Sequence, residues 1–214
     1  AGGDDAVEEK PAAGTTASNA SLYQAPPPAG SATPPPSGAM ANDTEFMTSL
    51  TQNAEAQGVD PNKMLAIMGP ESGGDPSAKN ASSSASGLIQ MMDSVARGYV
   101  NPRTGKKMES AAELRTLSRA EQAPIAVQYF ADRGVTADSP VEDYALAVAA
   151  PAFVGRSTER DAVVYPKGSK EHAANRPWWP EDGGDVTVGS LLDFYMGKGE
   201  GGKKSPAAPA STAA

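Results

Sequence analysis

MLAIMGPESGGDPSAKNASSSASGLIQMMDSVA, residues 64–96, decides how the chain is read. An apolar run at helical spacing (Met64, Leu65, Ile67, Met68) meets Gly69-Pro70. Proline lacks an amide hydrogen and disfavours helix at the residue before it. The spacing therefore predicts a helix that stops near Gly69-Pro70, leaving Glu71 at the mouth of a Gly/Ser/Ala-rich loop. A second apolar block, Gly87-Leu88-Ile89-Gln90-Met91-Met92, follows that loop. A carboxylate between a buried helix and an irregular loop can be half buried and still reachable, so Glu71 is the first candidate for chemistry.

Upstream, Asp43 is placed as the N-cap of a helix with Phe46, Met47, Leu50 and Ala54 on one face, and Gly58 closes it. Asp60-Pro61 restarts the chain as N-cap and first helical residue. Downstream, residues 101–107 form a polar turn, and Ser110 opens a further helical segment. Ser118 and Glu121 have the spacing of a capping box for a helix with Ile125, Val127, Tyr129 and Phe130 on its apolar side, ended by Gly134. Ser139-Pro140 starts another, Val141 to Ala150, small and apolar enough to lie at the centre of a helical core. Residues 160–184 are loop-rich, and a short helix from Thr187 or Ser190 ends near Met196. No strand alternation of convincing length and no internal repeat occurs, so the expected fold class is mainly α.

The ends have a different composition. Residues 1–41 hold an acidic patch and two proline triplets, Pro26-Pro27-Pro28 and Pro34-Pro35-Pro36, and residues 197–214 are rich in Gly, Lys, Ala and Ser. Such segments bury too little apolar surface to offset chain entropy and are expected to be disordered tails. Residues 42–196 remain as one domain, long enough for a real core. The net charge of −8 and the lack of a basic stripe argue against a nucleic-acid partner. No apolar run reaches the length of a membrane span. Cysteine is absent, which removes thiol chemistry and leaves the compartment open. The chain opens on Ala1 with no charged-then-apolar leader, as expected of a processed or truncated chain.

Val59-Asp60-Pro61, Met64-Leu65-Ala66-Ile67, Glu71-Ser72-Gly73 and Ala85-Ser86-Gly87-Leu88-Ile89-Gln90-Met91-Met92 together resemble the signature of the soluble lytic transglycosylases, relatives of goose lysozyme. A looser similarity continues through Tyr129-Phe130 and Leu146 to Gly155. The resemblance implies a lysozyme-like helical domain acting on peptidoglycan glycan strands, at the β-1,4 bond between N-acetylmuramic acid and N-acetylglucosamine. It implies Glu71 as the single catalytic acid and then base, giving a 1,6-anhydro-muramoyl product without cofactor or metal. Most glycosidases need two carboxylates; here a substrate hydroxyl would replace the second one and water. One group serving as acid and base needs a proton affinity matched to working pH, which apolar neighbours such as Met68, Leu88, Ile89 and Met92 can provide. Ser72, Ser86, Gln90, Met92 and Tyr144 are the expected substrate contacts, although capping and core packing explain several of them equally well.

The Glu71 to Gly87 spacing of 16 residues is about one longer than the family pattern, and a second departure matters more. An Ala-Tyr-Asn-x-Gly block, whose Tyr helps hold the catalytic Glu, is replaced by Ala149-Ala150-Pro151-Ala152-Phe153-Val154-Gly155. Tyr129 or Tyr144 would then supply the hydroxyl, or Glu71 lacks it. That divergence and the tails point to an enzyme of a bacteriophage particle, acting in the host periplasm and cell wall and contacting other virion proteins through its tails. A bacterial cell-envelope enzyme is the second choice. The alternatives are a non-catalytic virion or ejection protein of the same fold, and a muramidase using water with Asp93 or Glu171 as second carboxylate. His172, the only histidine, lies in a polar context expected to be exposed, which disfavours a triad. Trp178-Trp179 could stack on sugars, but loop packing is the plainer expectation. Asp182-Gly183-Gly184-Asp185 has too few oxygen ligands for a calcium loop.

Overall fold

The computed structural model describes residues 37–197, so the expected tails fall outside the described residues except at their inner ends. There the N-terminal boundary is corrected. Ser37–Ala41 form a short helix, α1, and Met40 is buried. Its side chain fills the space beside Gly74, where a Cβ would lie 2.5 Å from the Met40 thioether. One large apolar side chain thus attaches a segment whose average composition reads as linker.

Helix α2 (Thr44–Gln57) is capped by Asp43, which accepts the Phe46 amide at 3.0 Å, and ends at Gly58 in the left-handed conformation. It buries Phe46, Leu50 and Ala54. Helix α3 (Pro61–Ser72) begins at Asp60, which caps the Asn62 amide at 2.8 Å. It does not stop at Gly69-Pro70 but continues through Pro70 to Ser72. The clash that bars helix before proline involves the preceding Cβ, and Gly69 has none. The extra turn matters, because it makes Glu71 a helical residue with a fixed direction.

Residues 73–92 form a tight loop in which Ser86 bridges to both Lys79 and Met91. A short helix α4 (Asp93–Ala96) follows, then a 3-10 turn, Ala111–Thr116, where a helical segment was expected. Helix α5 (Arg119–Asp132) starts with the capping box predicted from Ser118 and Glu121. It packs along α2, fastened by Ser49 Oγ donating to the Ala120 carbonyl at 2.9 Å and by the Arg119–Asp43 pair at 3.1 Å. Helix α6 (Val141–Ala149) is buried from Asp143 to Ala149 and packs on α3 and on the last helix.

The remainder wraps this centre. After a 3-10 turn at Pro151–Phe153, strand β1 (Val163–Tyr165) pairs antiparallel with β2 (Val186–Thr187), Val163 opposite Thr187 and Tyr165 opposite Val186. Between them lie α7 (Lys170–Ala174) and a 3-10 turn, Arg176–Trp178. Strands of three and two residues are too short to show a period of two, so the sequence pattern missed the pair. Helix α8 (Val188–Met196), opened by a Thr187–Ser190 capping box and closed by Gly197, lays Val188, Leu191, Leu192 and Tyr195 inward.

Candidate active site

Glu71 sits in the last turn of α3 and is 3% exposed. Its Oε1 accepts a hydrogen bond from the Tyr195 hydroxyl of α8, 124 positions away in sequence. Burial alone disfavours a carboxylate, and a phenol O–H aimed at it offsets part of that cost. Tyr195 is itself held by rings: Trp178 lies 6.3 Å away and Phe194 5.3 Å away in an edge contact. Trp178 in turn stacks on Tyr165 at 6.1 Å.

Two tyrosines anchor this group to the end of α6. Tyr165 donates to the Ala149 carbonyl at 3.1 Å, and Tyr129 of α5 donates to the Ala147 carbonyl at 3.2 Å. Burial pushes the Tyr129 phenol well above its ordinary value; the Arg133 guanidinium offsets part of this, and the charge of Glu71 adds to it. Burial, with a smaller contribution from Glu171, likewise lifts Tyr165 to about 12. Both phenols are therefore neutral donors at ordinary pH. The block expected to carry a Tyr-Asn pair instead turns at Pro151. The hydroxyl at Glu71 comes from Tyr195, not from Tyr129 or Tyr144.

The other expected residues fall into two groups. Ser72, Ser86, Gln90 and Met92 lie with Glu71 in one loop-and-helix unit. Ser72 Oγ joins α3 to the second block, donating to the Leu88 carbonyl at 2.9 Å and to the Met68 carbonyl at 3.2 Å. Ser86 is buried, with its hydroxyl on the Ser84 carbonyl at 3.2 Å. Gln90 is buried at a positive φ of 48°, and its amide donates to the Gly87 carbonyl at 3.0 Å. These bonds steady the loop. Met92 is half-buried, and its sulfur faces the Ser84 hydroxyl at 3.9 Å. Tyr144 requires a correction. It is fully buried, accepts the Asp60 amide at 2.7 Å and donates to the Thr136 carbonyl at 3.0 Å. It thus braces the start of α3, eleven residues and about 16 Å of helix from Glu71.

Sequence reasoning missed Gln122. Buried on α5, its Oε1 accepts the Leu88 amide at 3.0 Å while Nε2 donates to the Pro76 and Leu114 carbonyls, each at 2.8 Å. Gly87, at φ 78°, must lack a Cβ because one would stand 2.6 Å from Gln122 Oε1. The available signal was a polar residue on the same stripe as Ala126 and Tyr129, which needs buried partners. Tyr195 gave a weaker signal, a tyrosine on the inward stripe of a helix, whose hydroxyl needs an acceptor somewhere.

His172 is buried, not exposed. It stacks on Trp179 at 4.2 Å and its Nε2 meets the Gly184 carbonyl at 2.9 Å. The short α7 folds it under the loop, which the polar sequence context does not reveal. Trp178 is fully buried and packs the domain. Asp93 and Glu171 are half-buried, and Asp93 Oδ1 already accepts the Ala111 amide at 2.8 Å. Asp182 and Asp185 accept backbone amides of Gly184 and Lys167. Among the described residues no group of three or more His, Asp or Glu could hold a metal ion, and no helix is long and apolar enough to cross a membrane. A polar cleft of about 570 Å³ opens between α2 and α5, lined by Thr48, Gln52, Asn53 and Glu121 among others, and includes none of the expected site residues.

A buried carboxylate at a helix end, beside a serine bonded to a Gly-Leu-Ile-Gln block, is the arrangement on which a family comparison can be weighed. Residues 49–132 match the transglycosylase SLT domain. The SLT match runs from within α2 to the last residue of α5, and the domain it describes is lysozyme-like, in keeping with the mainly α fold. It contains Glu71, Ser72, Ser86, Gln90, Met92 and Gln122, and it excludes Tyr144 and Tyr195. No curated protein and no solved structure gives a match.

Proposed function

We propose that this protein is a peptidoglycan lytic transglycosylase that cleaves the β-1,4 bond between N-acetylmuramic acid and N-acetylglucosamine. The observation that carries the reading is the buried Glu71 carboxyl, fixed by the last turn of α3 and engaged by Tyr195, inside a segment matching the SLT domain. Protonated Glu71 gives its proton to the glycosidic oxygen as the bond to C1 breaks. The carboxylate then takes the proton of the muramoyl C6 hydroxyl, and O6 closes on C1 as the 1,6-anhydro ring. The proton count balances with no water consumed, and Glu71 ends protonated for the next turnover. Tyr195 serves as a positioning residue, holding the carboxyl through its Oε1.

The site of action in this reading is the cell wall, opened locally by a phage particle in the host periplasm. The Pro/Ala-rich and Gly/Lys-rich composition of the two ends supports attachment to other particle proteins, with a bacterial cell-envelope enzyme as the second choice. The test is a zymogram and single-turnover assay of the whole chain against Glu71→Gln. The variant is expected to lose about a hundred- to ten-thousandfold in rate. Equal clearing by both proteins would overturn Glu71 as the catalytic acid, and none by either would leave a non-catalytic wall-binding or ejection protein of this fold. Mass spectrometry of the muropeptides decides the reaction type, since reducing muramic acid in place of the anhydro form means a muramidase using water.

A further inference from the structure

Arg133 closes α5 and lies with its guanidinium carbon 3.4 Å from the centre of the Tyr129 ring. It is half-buried, yet it takes part in none of the ion pairs among the described residues. Its Nη1 donates to the Tyr129 carbonyl at 3.2 Å, the guanidinium also meets the Tyr99 and Tyr129 hydroxyls, and its buried Nε has no acceptor. The adjacent Asp132 carboxylate is already engaged by the Tyr99 hydroxyl at 3.1 Å and by Gln128 Nε2 at 2.6 Å. Tyr99 and Tyr129 stand 6.4 Å apart, Tyr129 presenting its ring to the guanidinium and Tyr99 its hydroxyl. A guanidinium is a planar fork built to grip a carboxylate, and this one, stacked on a ring, has no anion paired with it.

The same Tyr129 carries the link to the proposed catalytic centre. Its hydroxyl rests on the end of α6 that also receives Tyr165, and Tyr165 leads through Trp178 to Tyr195 and Glu71. Arg133 is thus one aromatic ring away from the group of side chains around the buried acid.

We propose that Arg133 is a substrate-binding residue that receives a carboxylate carried by the muramic-acid substituent, next to the sugar bond addressed by Glu71. The inference rests on the transglycosylase reading and adds a specificity to it. Two carboxylates fit this chemistry: those of the peptide stem, and the lactyl carboxylate exposed when the stem is absent.

The experiment compares the whole wild-type chain with Arg133→Gln and Arg133→Lys on three glycan preparations. One carries peptide stems, one has been stripped of them by an amidase, and one has had its carboxylates converted to neutral methylamides. Arg133→Gln should raise KM about tenfold on charged strands with kcat little changed, as expected for loss of a charge-assisted bond. On the methylamidated strands it should equal wild type, and Arg133→Lys, with the charge but not the fork, should fall between. Which charged preparation shows the difference identifies the carboxylate. An equal loss on charged and neutral strands, or no loss on any, overturns the proposal. If the wild-type chain cleaves nothing, the enzymatic reading fails separately. Co-sedimentation of the same proteins with the same strands then reads the inference, and Arg133→Gln must still weaken binding to charged strands only.

Discussion

In residues 49–132 the surroundings of Glu71 are fastened by a set of hydrogen bonds: Ser72 to Leu88, Gln90 to Gly87, and Gln122 to Leu88, Pro76 and Leu114. From residues 133–197 comes the Tyr195 hydroxyl, delivered by α8 and packed among the Trp178 and Phe194 rings. The first region fixes where the carboxyl is, and the second fixes what one of its oxygens is doing. This division explains why a segment that matches the SLT domain can be tied to an unmatched partner without losing the site. The partner needs only to bring one donor to one place.

The comparison predicts a large structural effect in the first region. Gln122→Ala leaves the buried Leu88 amide unpaired and takes a donor from the Pro76, Leu114 and Leu117 carbonyls, of which Leu114 keeps the Leu117 amide; each group left unsatisfied costs about 1–3 kcal/mol. Allowing for relaxation and water entry, a loss of about 3 kcal/mol is expected in urea unfolding, with activity falling alongside it because the loop holding Gly87 to Met92 loosens. A loss under about 1 kcal/mol would show that the loop is held by its own backbone bridges and that Gln122 is incidental.

In the second region the effect should appear in catalysis more than in stability. Tyr195→Phe keeps the ring packed on Trp178 and Phe194 and removes only the hydroxyl. A hydrogen bond to a charged group is worth about 1.5–3 kcal/mol, so kcat should fall about ten- to a hundredfold. KM should hardly move, the urea midpoint should fall modestly because the buried carboxyl loses a donor, and the pH profile should shift, which a purely structural role would not produce. Equal activity in the two proteins would mean that the first region alone sets the chemistry.

The same division governs what the sequence could tell. Helix starts were legible because capping is local: Asp43, Asp60, Ser118 and Thr187 each accept an amide two or three residues ahead. The Glu71-Ser72 and Gly87 to Met92 blocks were legible for the same reason, since spacing along the chain carries them. The continuation of α3 through Pro70 was not, because the rule for proline had to yield to the absence of a Cβ on Gly69. Tyr195 was further out of reach. Nothing within a turn or loop of it records that its hydroxyl ends on a carboxylate of another helix. Tyr144 erred in the opposite direction: an aromatic residue with a hydroxyl near a family motif was read as a substrate contact, whereas its two backbone partners use that hydroxyl completely.

The smallest expected effect tests whether the two regions stand or fall together. Arg103 forms a two-pronged pair with Glu121 at 2.6 and 2.7 Å, and the Ser118 amide adds a third bond. The Arg103 contact first, and the Ser118 amide next, lower Glu121 from its usual 4.5 to about 2. A carboxylate depressed in the folded state contributes stability that is fully present above its unfolded value and is lost as pH falls through the folded one. The contribution should therefore fade between pH of about 4.5 and about 2, and Glu121→Gln should be less stable than wild type above that window and equal to it below. The pair is exposed, so the difference is a small shift in urea midpoint. Both tryptophans, Trp178 and Trp179, lie in the second region, whereas the Glu121 pair lies in the first. If tryptophan fluorescence follows the Glu121-dependent part of the unfolding as closely as helical circular dichroism does, the two regions unfold as one unit. Fluorescence that ignores the substitution would separate them, making α8 a piece that can leave Glu71 while residues 49–132 stay folded.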